Sequence, residues 1–128
     1  MPRKRLDPLD VPLDQVRRIA LALPEATERP SHGEPAWFVG KRLFATYAEQ
    51  HHDDRVAVWL AAPLGAQEAL IEEDPARFFR PPYVGVRGWL GIYLDLPAAP
   101  DWDELAELLA DSYRMVAPKR LLAALDAR

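Results

Sequence analysis

The sequence predicts an α+β domain in which a mainly antiparallel, five-stranded sheet carries helices on one face. Two observations lead to this fold class. Runs rich in aromatic and β-branched residues are joined by short Gly-containing turns, which is typical of hairpins. Apolar residues also recur at i, i+3, i+4 and i+7 near both ends of the chain, which indicates amphipathic helices. The predicted order is α-β-β-β-α-β-β-α, with a further short helix at the end.

The first predicted helix follows Asp10, a plausible cap, and has Pro12 in its first turn. Its apolar face comprises Val16, Ile19, Ala20 and Leu23. Pro24 ends the helix, and the Pro, Ser and Gly content of residues 24–35 predicts a loop.

Three strands are predicted next, at 37–39, 43–47 and 56–62. Gly40-Lys41 suits a tight turn between the first two, because Gly readily adopts positive φ. Residues 66–74 read as a short helix that Pro75 stops.

Two more strands are predicted at 78–79 and 89–94. Pro81-Pro82 lies between them, and since proline cannot donate ladder hydrogen bonds, we place that segment at an edge or in a loop. Asp101 and Glu104 have capping-box spacing at the start of a long helix, and Pro118 begins a last short one.

Length and composition indicate one folded domain over 10–128, preceded by a polar tail at 1–9. The chain has no cysteine and no apolar run long enough to span a bilayer, so we expect a cytoplasmic protein without disulfides or thiolate metal sites. The net charge of −4 argues against a dedicated duplex binder. Nine of the 20 acidic residues, however, lie in two predicted helices at 65–74 and 101–111, which leaves the rest of the chain net basic.

Two histidine-containing segments are candidates for chemistry. In His51-His52-Asp53-Asp54, adjacent side chains rarely reach one ion, so we expect a solvated turn and no metal site. Ser31-His32-Gly33-Glu34 lacks the spacing of a nucleophile with its base, so we expect neither an enzyme nor a cofactor. His32 either pins its loop or, together with Tyr47, lines a pocket.

A basic and aromatic set surrounds two turns of the predicted sheet. Its members are Lys41, Arg42, Arg77, Arg80, Tyr83, Arg87 and Trp89. Arginine can fork onto phosphates and aromatic rings can stack on bases, which would make a nucleic-acid surface. Charged residues at strand edges also discourage aggregation between sheets, so both interpretations remain open.

Three segments resemble the MmcQ/YjbR family of small bacterial proteins, with a match over roughly residues 13 to 125. They read LALPEATERPSHGEPAWFVGKRLFATY, FFRPPYVGVRGWLGIYLD and DWDELAELLADSYRMVAPKRL. The resemblance implies an α-β(3)-α-β(2)-α arrangement likened to secretion chaperones.

The resemblance also implies a DNA-binding role through two hairpin loops, or wings. One wing would contain Gly40, Lys41 and Arg42, and the other Tyr83, Arg87 and Trp89. Where many members carry Lys-Arg-His-Trp, this chain has Val86 to Trp89 with one cation fewer, so we expect at most weak, salt-sensitive binding to DNA. The alternative is a module that binds a protein partner or a second copy of itself.

Overall fold

The structure is a computed structural model that describes residues 12–49 and 55–128. The predicted tail, the cap at Asp10 and the His51–Asp54 cluster lie outside the described residues. The helices are α1 (Pro12–Leu21), α2 (Ala66–Glu73), α3 (Trp102–Val116) and α4 (Lys119–Asp126). The strands are β1 (Ala26–Ser31), β2 (Glu34–Val39), β3 (Arg42–Glu49), β4 (Val56–Leu60), β5 (Phe78–Phe79) and β6 (Leu90–Tyr93).

The strands form one antiparallel sheet in the order β1-β2-β3-β4-β6-β5, which confirms the predicted fold class. The sheet has six strands where five were predicted. The additional strand is β1, which lies within the segment predicted as a loop. It carries Pro30, and an edge strand tolerates proline because one of its sides needs no ladder hydrogen bonds. Its alternating, mostly exposed side chains gave no apolar signal.

One face of the sheet packs against α1 and α3 and forms the main hydrophobic core. Trp37, Phe44 and Tyr113 are completely buried there. The rings of Phe44 and Tyr113 meet edge to face, with centroids 5.9 Å apart. A β-bulge between β2 and β3 leaves Phe44 as the extra residue, since Trp37 pairs with Ala45 and Phe38 pairs with Leu43. We call this side of the sheet the helix face.

Helix α3 is fixed at its start and along its buried side. The Asp101 carboxylate accepts a hydrogen bond from the Glu104 amide at 3.1 Å, as the capping spacing predicts. The Ser112 hydroxyl donates to the carbonyl of Ala61 at 2.5 Å, and the Tyr113 hydroxyl donates to the carbonyl of Pro24 at 2.7 Å. The adjacent Ser-Tyr pair therefore ties one helix to the end of β4 and to the segment after α1.

In the part of the chain that the structure describes, no helix combines the length and the apolar character needed to cross a membrane.

Candidate ligand-binding site

The opposite side of the sheet, which faces away from α1 and α3, carries a second and smaller apolar cluster. We call this side the open face. Within β4 and just after it, Ala57, Trp59 and Ala61 alternate with side chains of the main core. Ala48 of β3 and Trp89 complete the cluster. Because alanine side chains are small, they leave space beside the large tryptophan rings, so the surface of this face is concave.

Aromatic residues of β5 and β6 pack against the edge of this apolar cluster. The rings of Phe79 and Tyr93 stack with centroids 4.4 Å apart. Residue 91 is glycine because a Cβ there would overlap the Phe79 ring. The Arg55 guanidinium lies 3.8 Å from the centroid of the Tyr93 ring and also forms an ion pair with Asp95 at 3.0 Å.

The segment before β6 carries Val84 and Trp89 onto the open face. Tyr83 has φ 63° and ψ −66°, and the Val84 amide donates to the Pro82 carbonyl at 2.7 Å. This is the rare, strained form of the γ-turn. The buried Gln67 amide holds the segment by donating to the carbonyls of Gly85 and Trp89, at 2.9 and 2.6 Å. The loop that presents Tyr83 is therefore anchored from within the domain.

The turn between β1 and β2 reaches the open face from the other end of the sheet. His32 and Gly33 both have positive φ, as a two-residue primed hairpin turn requires. This turn closes the pair of Ser31 and Glu34. The Glu34 carboxylate accepts a hydrogen bond from the Glu49 amide at 2.5 Å, which joins the turn to the end of β3.

Between this turn and the segment before β6 lies a cavity of about 580 Å³. Its walls are mostly apolar and aromatic, with a few polar groups at the two ends. The lining residues are Ser31, His32, Glu34, Leu43, Thr46, Tyr47, Ala48, Trp59, Tyr83, Val84, Arg87 and Trp89.

Five residues singled out in the sequence meet in this cavity. Tyr83, Arg87 and Trp89 came from the basic and aromatic set, whereas His32 and Tyr47 came from the pocket hypothesis. The two groups are far apart in the chain, as residues 32 and 83 show, and they meet only through the strand order.

The remaining members of the basic set lie outside the cavity. Lys41 is exposed at the β2–β3 turn, and Arg80 is exposed with its aliphatic chain against Gly85. Arg42 donates to the carbonyl of Val116 at 3.5 Å. Arg77 pairs with Asp74 and with Glu104, each at 2.7 Å, and its hydrogen bond to Glu104 is the main reason that its pKa is raised. Arg42 and Arg77 thus have partners within the domain.

Several lining residues were not predicted from the sequence, among them Leu43, Thr46, Ala48 and Trp59. A signal for them exists in the alternation of Ala57, Trp59 and Ala61. These three residues occupy the face of the strand that points away from the main core, and they are one large ring between two small side chains. A strand that is equally buried on both faces is expected to carry large apolar residues on both. The prediction of a strand at 56–62 did not distinguish its two faces.

The electrostatic environment differs between the ends of the cavity. Burial raises the pKa of Tyr47, and the nearby carboxylates of Glu49, Glu34 and Asp95 raise it further. Tyr47 is only 5% exposed and belongs to the main core cluster, so its ring lies mostly on the helix face. At the opposite end the Arg87 guanidinium carbon lies 5.7 Å from the centroid of the Trp89 ring. Among residues 12–49 and 55–128, no cluster of three or more histidines or acids could hold a metal ion.

The fold and the cavity define a small α+β domain with one sheet face sealed by helices and the other shaped as a concave aromatic surface. The chain belongs to the YjbR family, whose model matches residues 21–115. Its fold is similar to the crystal structure of the Deinococcus radiodurans protein DR2400, which contains a DUF419 domain. The two share 21% identity and a TM-score of 0.69, over 94% of this chain and 91% of the other. No significant match was found among the curated proteins.

Proposed function

We propose that this domain is a binding module whose site is the open-face cavity and whose ligand is a small molecule with a planar aromatic ring. The cavity itself carries the proposal. Its volume of about 580 Å³ falls within the range of roughly 300–1,000 Å³ typical of small-molecule sites. Trp59 and Trp89 line the cavity and can stack on a planar ligand, and Tyr83, which also lines it, is largely exposed.

The polar residues of the cavity support binding rather than catalysis. Ser31, His32 and Glu34 come from one tight turn, and no hydrogen bond within the described residues joins His32 to either of the others. The Glu34 carboxylate accepts from a backbone amide instead of orienting an imidazole. A nucleophile with a base and an orienting group is therefore not assembled among them.

The four tryptophans provide a direct test of the binding site. Trp59 and Trp89 line the cavity, whereas Trp37 lies on the helix face with its indole N–H donated to Glu28. Proton–nitrogen correlation spectra should be recorded while indoleacetate, indoleacetamide, tryptamine, adenosine and adenosine monophosphate are added separately. We expect at least one probe to shift the indole signals of Trp59 and Trp89, while those of Trp37 and Trp102 stay in place.

Neighbouring residues of the strained loop supply a matched control. Tyr83 and Val86 are 73% and 77% exposed, but only Tyr83 lines the cavity. Tyr83→Ser should weaken binding severalfold, and Val86→Ser should leave it unchanged. If no probe moves the two indole signals, or if both variants weaken binding equally, the cavity is not the binding site.

A second candidate function is weak DNA binding through the two wings, and one observation favours it. The start of β3 lies beside the end of β4, and the end of β4 pairs with the start of β6. Both wings therefore lie at the same end of the sheet. Lys41, Arg42, Arg80 and Arg87 are the exposed cations of the two loops, and Arg42 also donates to the carbonyl of Val116.

The four exposed cations of these loops set the expected salt dependence of DNA binding. Because each phosphate contact contributes a slope of about −0.9, the slope of log affinity against log salt should be no steeper than about −3.6 if only these four contact phosphates. Fluorescence anisotropy with labelled duplex DNA measures this slope. The double variant Lys41→Glu/Arg87→Glu should abolish binding, and affinity that does not respond to the variant would rule the wings out.

A protein partner, the other function suggested by the sequence, would find exposed apolar side chains at Leu64 and Val86. Light scattering after size exclusion measures whether such contacts yield a homodimer. The cytoplasmic location inferred from the sequence stays a prediction.

A further inference from the structure

The two ends of the cavity carry opposite charge. The β1–β2 turn, with Glu34, lies at the end of the sheet where β3 finishes with Glu49. The segment with Arg87 leads into β6, which starts at the other end. Of the cavity residues that the structure describes, Arg87 is the sole arginine or lysine, and Glu34 is the sole carboxylate.

The acidic end disfavours a negatively charged group. The carboxylates of Glu34, Glu49 and Asp95 all act on Tyr47, where they add to the effect of burial in raising its pKa. Because Glu34 lines the cavity, an anion placed at this end would be repelled by its carboxylate. A hydrogen-bond donor or a neutral ring edge suits this end better.

The opposite end is suited to an anion next to an aromatic ring. Arg87 is exposed, and no ion pair holds its guanidinium within the described residues. A guanidinium can form two parallel hydrogen bonds with a carboxylate or a phosphate. Since this group lies over the Trp89 ring, a ligand that stacks on the open face can bring its anionic substituent directly to Arg87.

We infer that the ligand of the cavity is an aromatic anion. Its ring packs against Trp59 and Trp89, and its carboxylate or phosphate binds Arg87. This inference rests on the proposed binding function and adds the charge and the orientation of the ligand. Small aromatic carboxylates and nucleoside phosphates share this chemistry.

The test compares probes that differ only in charge. Indoleacetate, indoleacetamide and tryptamine carry the same ring with an anionic, neutral or cationic group. We expect indoleacetate to bind about tenfold more tightly than the other two at low salt, the effect of one charge-assisted contact. Adenosine monophosphate and adenosine are compared in the same way to test binding of a phosphate. The comparison that gives the larger ratio of affinities between charged and neutral probe identifies the preferred anion.

Two arginines of the same loop supply the matched variants. Arg87 lines the cavity, whereas Arg80 is exposed and does not line it. Arg87→Gln should remove the preference for the anionic probe, so that indoleacetate and indoleacetamide bind with similar affinity. Arg80→Gln should keep the preference.

The possible results separate this inference from the proposed function. Equal binding of the anionic and neutral probes at the Trp59 and Trp89 signals would overturn the inference and leave the binding function standing. A preference that persists in Arg87→Gln would overturn the role of Arg87. Failure of every probe to bind would remove the binding function, and this inference with it.

Discussion

The two faces of the sheet arise from the same strands, yet they are completed in different ways. On the helix face, Trp37 and Phe44 have no exposed surface, because α1 and α3 cover them. On the open face, Trp59 and Trp89 keep 9% and 7% of their surface exposed and stand around small residues such as Ala48. The helix face fills its volume with packed side chains, whereas the open face leaves room for a ligand.

From this contrast we expect the helix face to contribute most of the stability and the open face to contribute most of the binding. A fully buried aromatic ring makes contacts on every side, so its removal leaves a cavity that the core cannot refill. Side chains around an existing cavity have fewer contacts to lose. Equivalent substitutions on the two faces should therefore differ in their effect on unfolding.

The largest expected effect comes from adjacent residues of β3 that lie on opposite faces. Phe44→Ala should lower the free energy of unfolding by about 3–5 kcal/mol, because Phe44 is completely buried. Leu43→Ala, at a half-buried position on the open face, should cost about 1 kcal/mol. Urea denaturation measures both values. Equal losses would mean that the open face is as tightly packed as the core.

An intermediate effect should follow from adding a methyl group at Gly91, where the backbone contacts the Phe79 ring. Gly91→Ala places a methyl group where the Phe79 ring lies, so we expect a loss of about 1–3 kcal/mol in the free energy of unfolding. The double variant Gly91→Ala/Phe79→Ala should lose less than the sum of the two single variants, since the overlap is then gone. If the losses in free energy of unfolding of the two single variants add up to that of the double variant, the Phe79 ring does not contact Gly91.

The same contrast explains which parts of the fold could be predicted from the sequence. The helix face leaves strong patterns, and of the apolar face predicted for the first helix, Val16, Ala20 and Leu23 are buried. The edge strand β1 was missed because its pairing with β2 depends on backbone hydrogen bonds, which no side-chain pattern reports. The strand count was therefore one too low, while the layers were right.

The cavity could be predicted only in parts. The sequence indicated His32 and Tyr47 as possible pocket residues and Arg87 as part of the basic and aromatic set. Their convergence depends on the strand order β3-β4-β6, which places the segment before β6 near strands far from it in the chain. Arg77 shows the reverse problem. One of its partners, Asp74, is three residues away, but the other, Glu104, is 27 residues away, so its full neutralisation could not be read from neighbouring residues.

The smallest expected effect concerns an ion pair at the rim of the helix face. Glu28 of β1 accepts hydrogen bonds from Arg17 at 2.8 Å and from the Trp37 indole at 3.0 Å. The hydrogen bond from Arg17 is the main reason that the pKa of Glu28 is lowered, although partial burial opposes it. A lowered pKa in the folded state contributes stability above the unfolded value of about 4.3, and this contribution is lost as the pH falls through the folded pKa.

Glu28→Gln should therefore lower the free energy of unfolding by about 1 kcal/mol at neutral pH, after allowance for solvent screening. The difference from the unsubstituted protein should vanish in acid, because a protonated glutamic acid and a glutamine at this position are both uncharged. Glu25→Gln is the matched control, since the Glu25–Arg120 pair is largely exposed and should leave the melting temperature almost unchanged. Thermal denaturation at several pH values measures both variants. A difference for Glu28→Gln that is independent of pH would show that the charge of Glu28 does not secure the edge of the core.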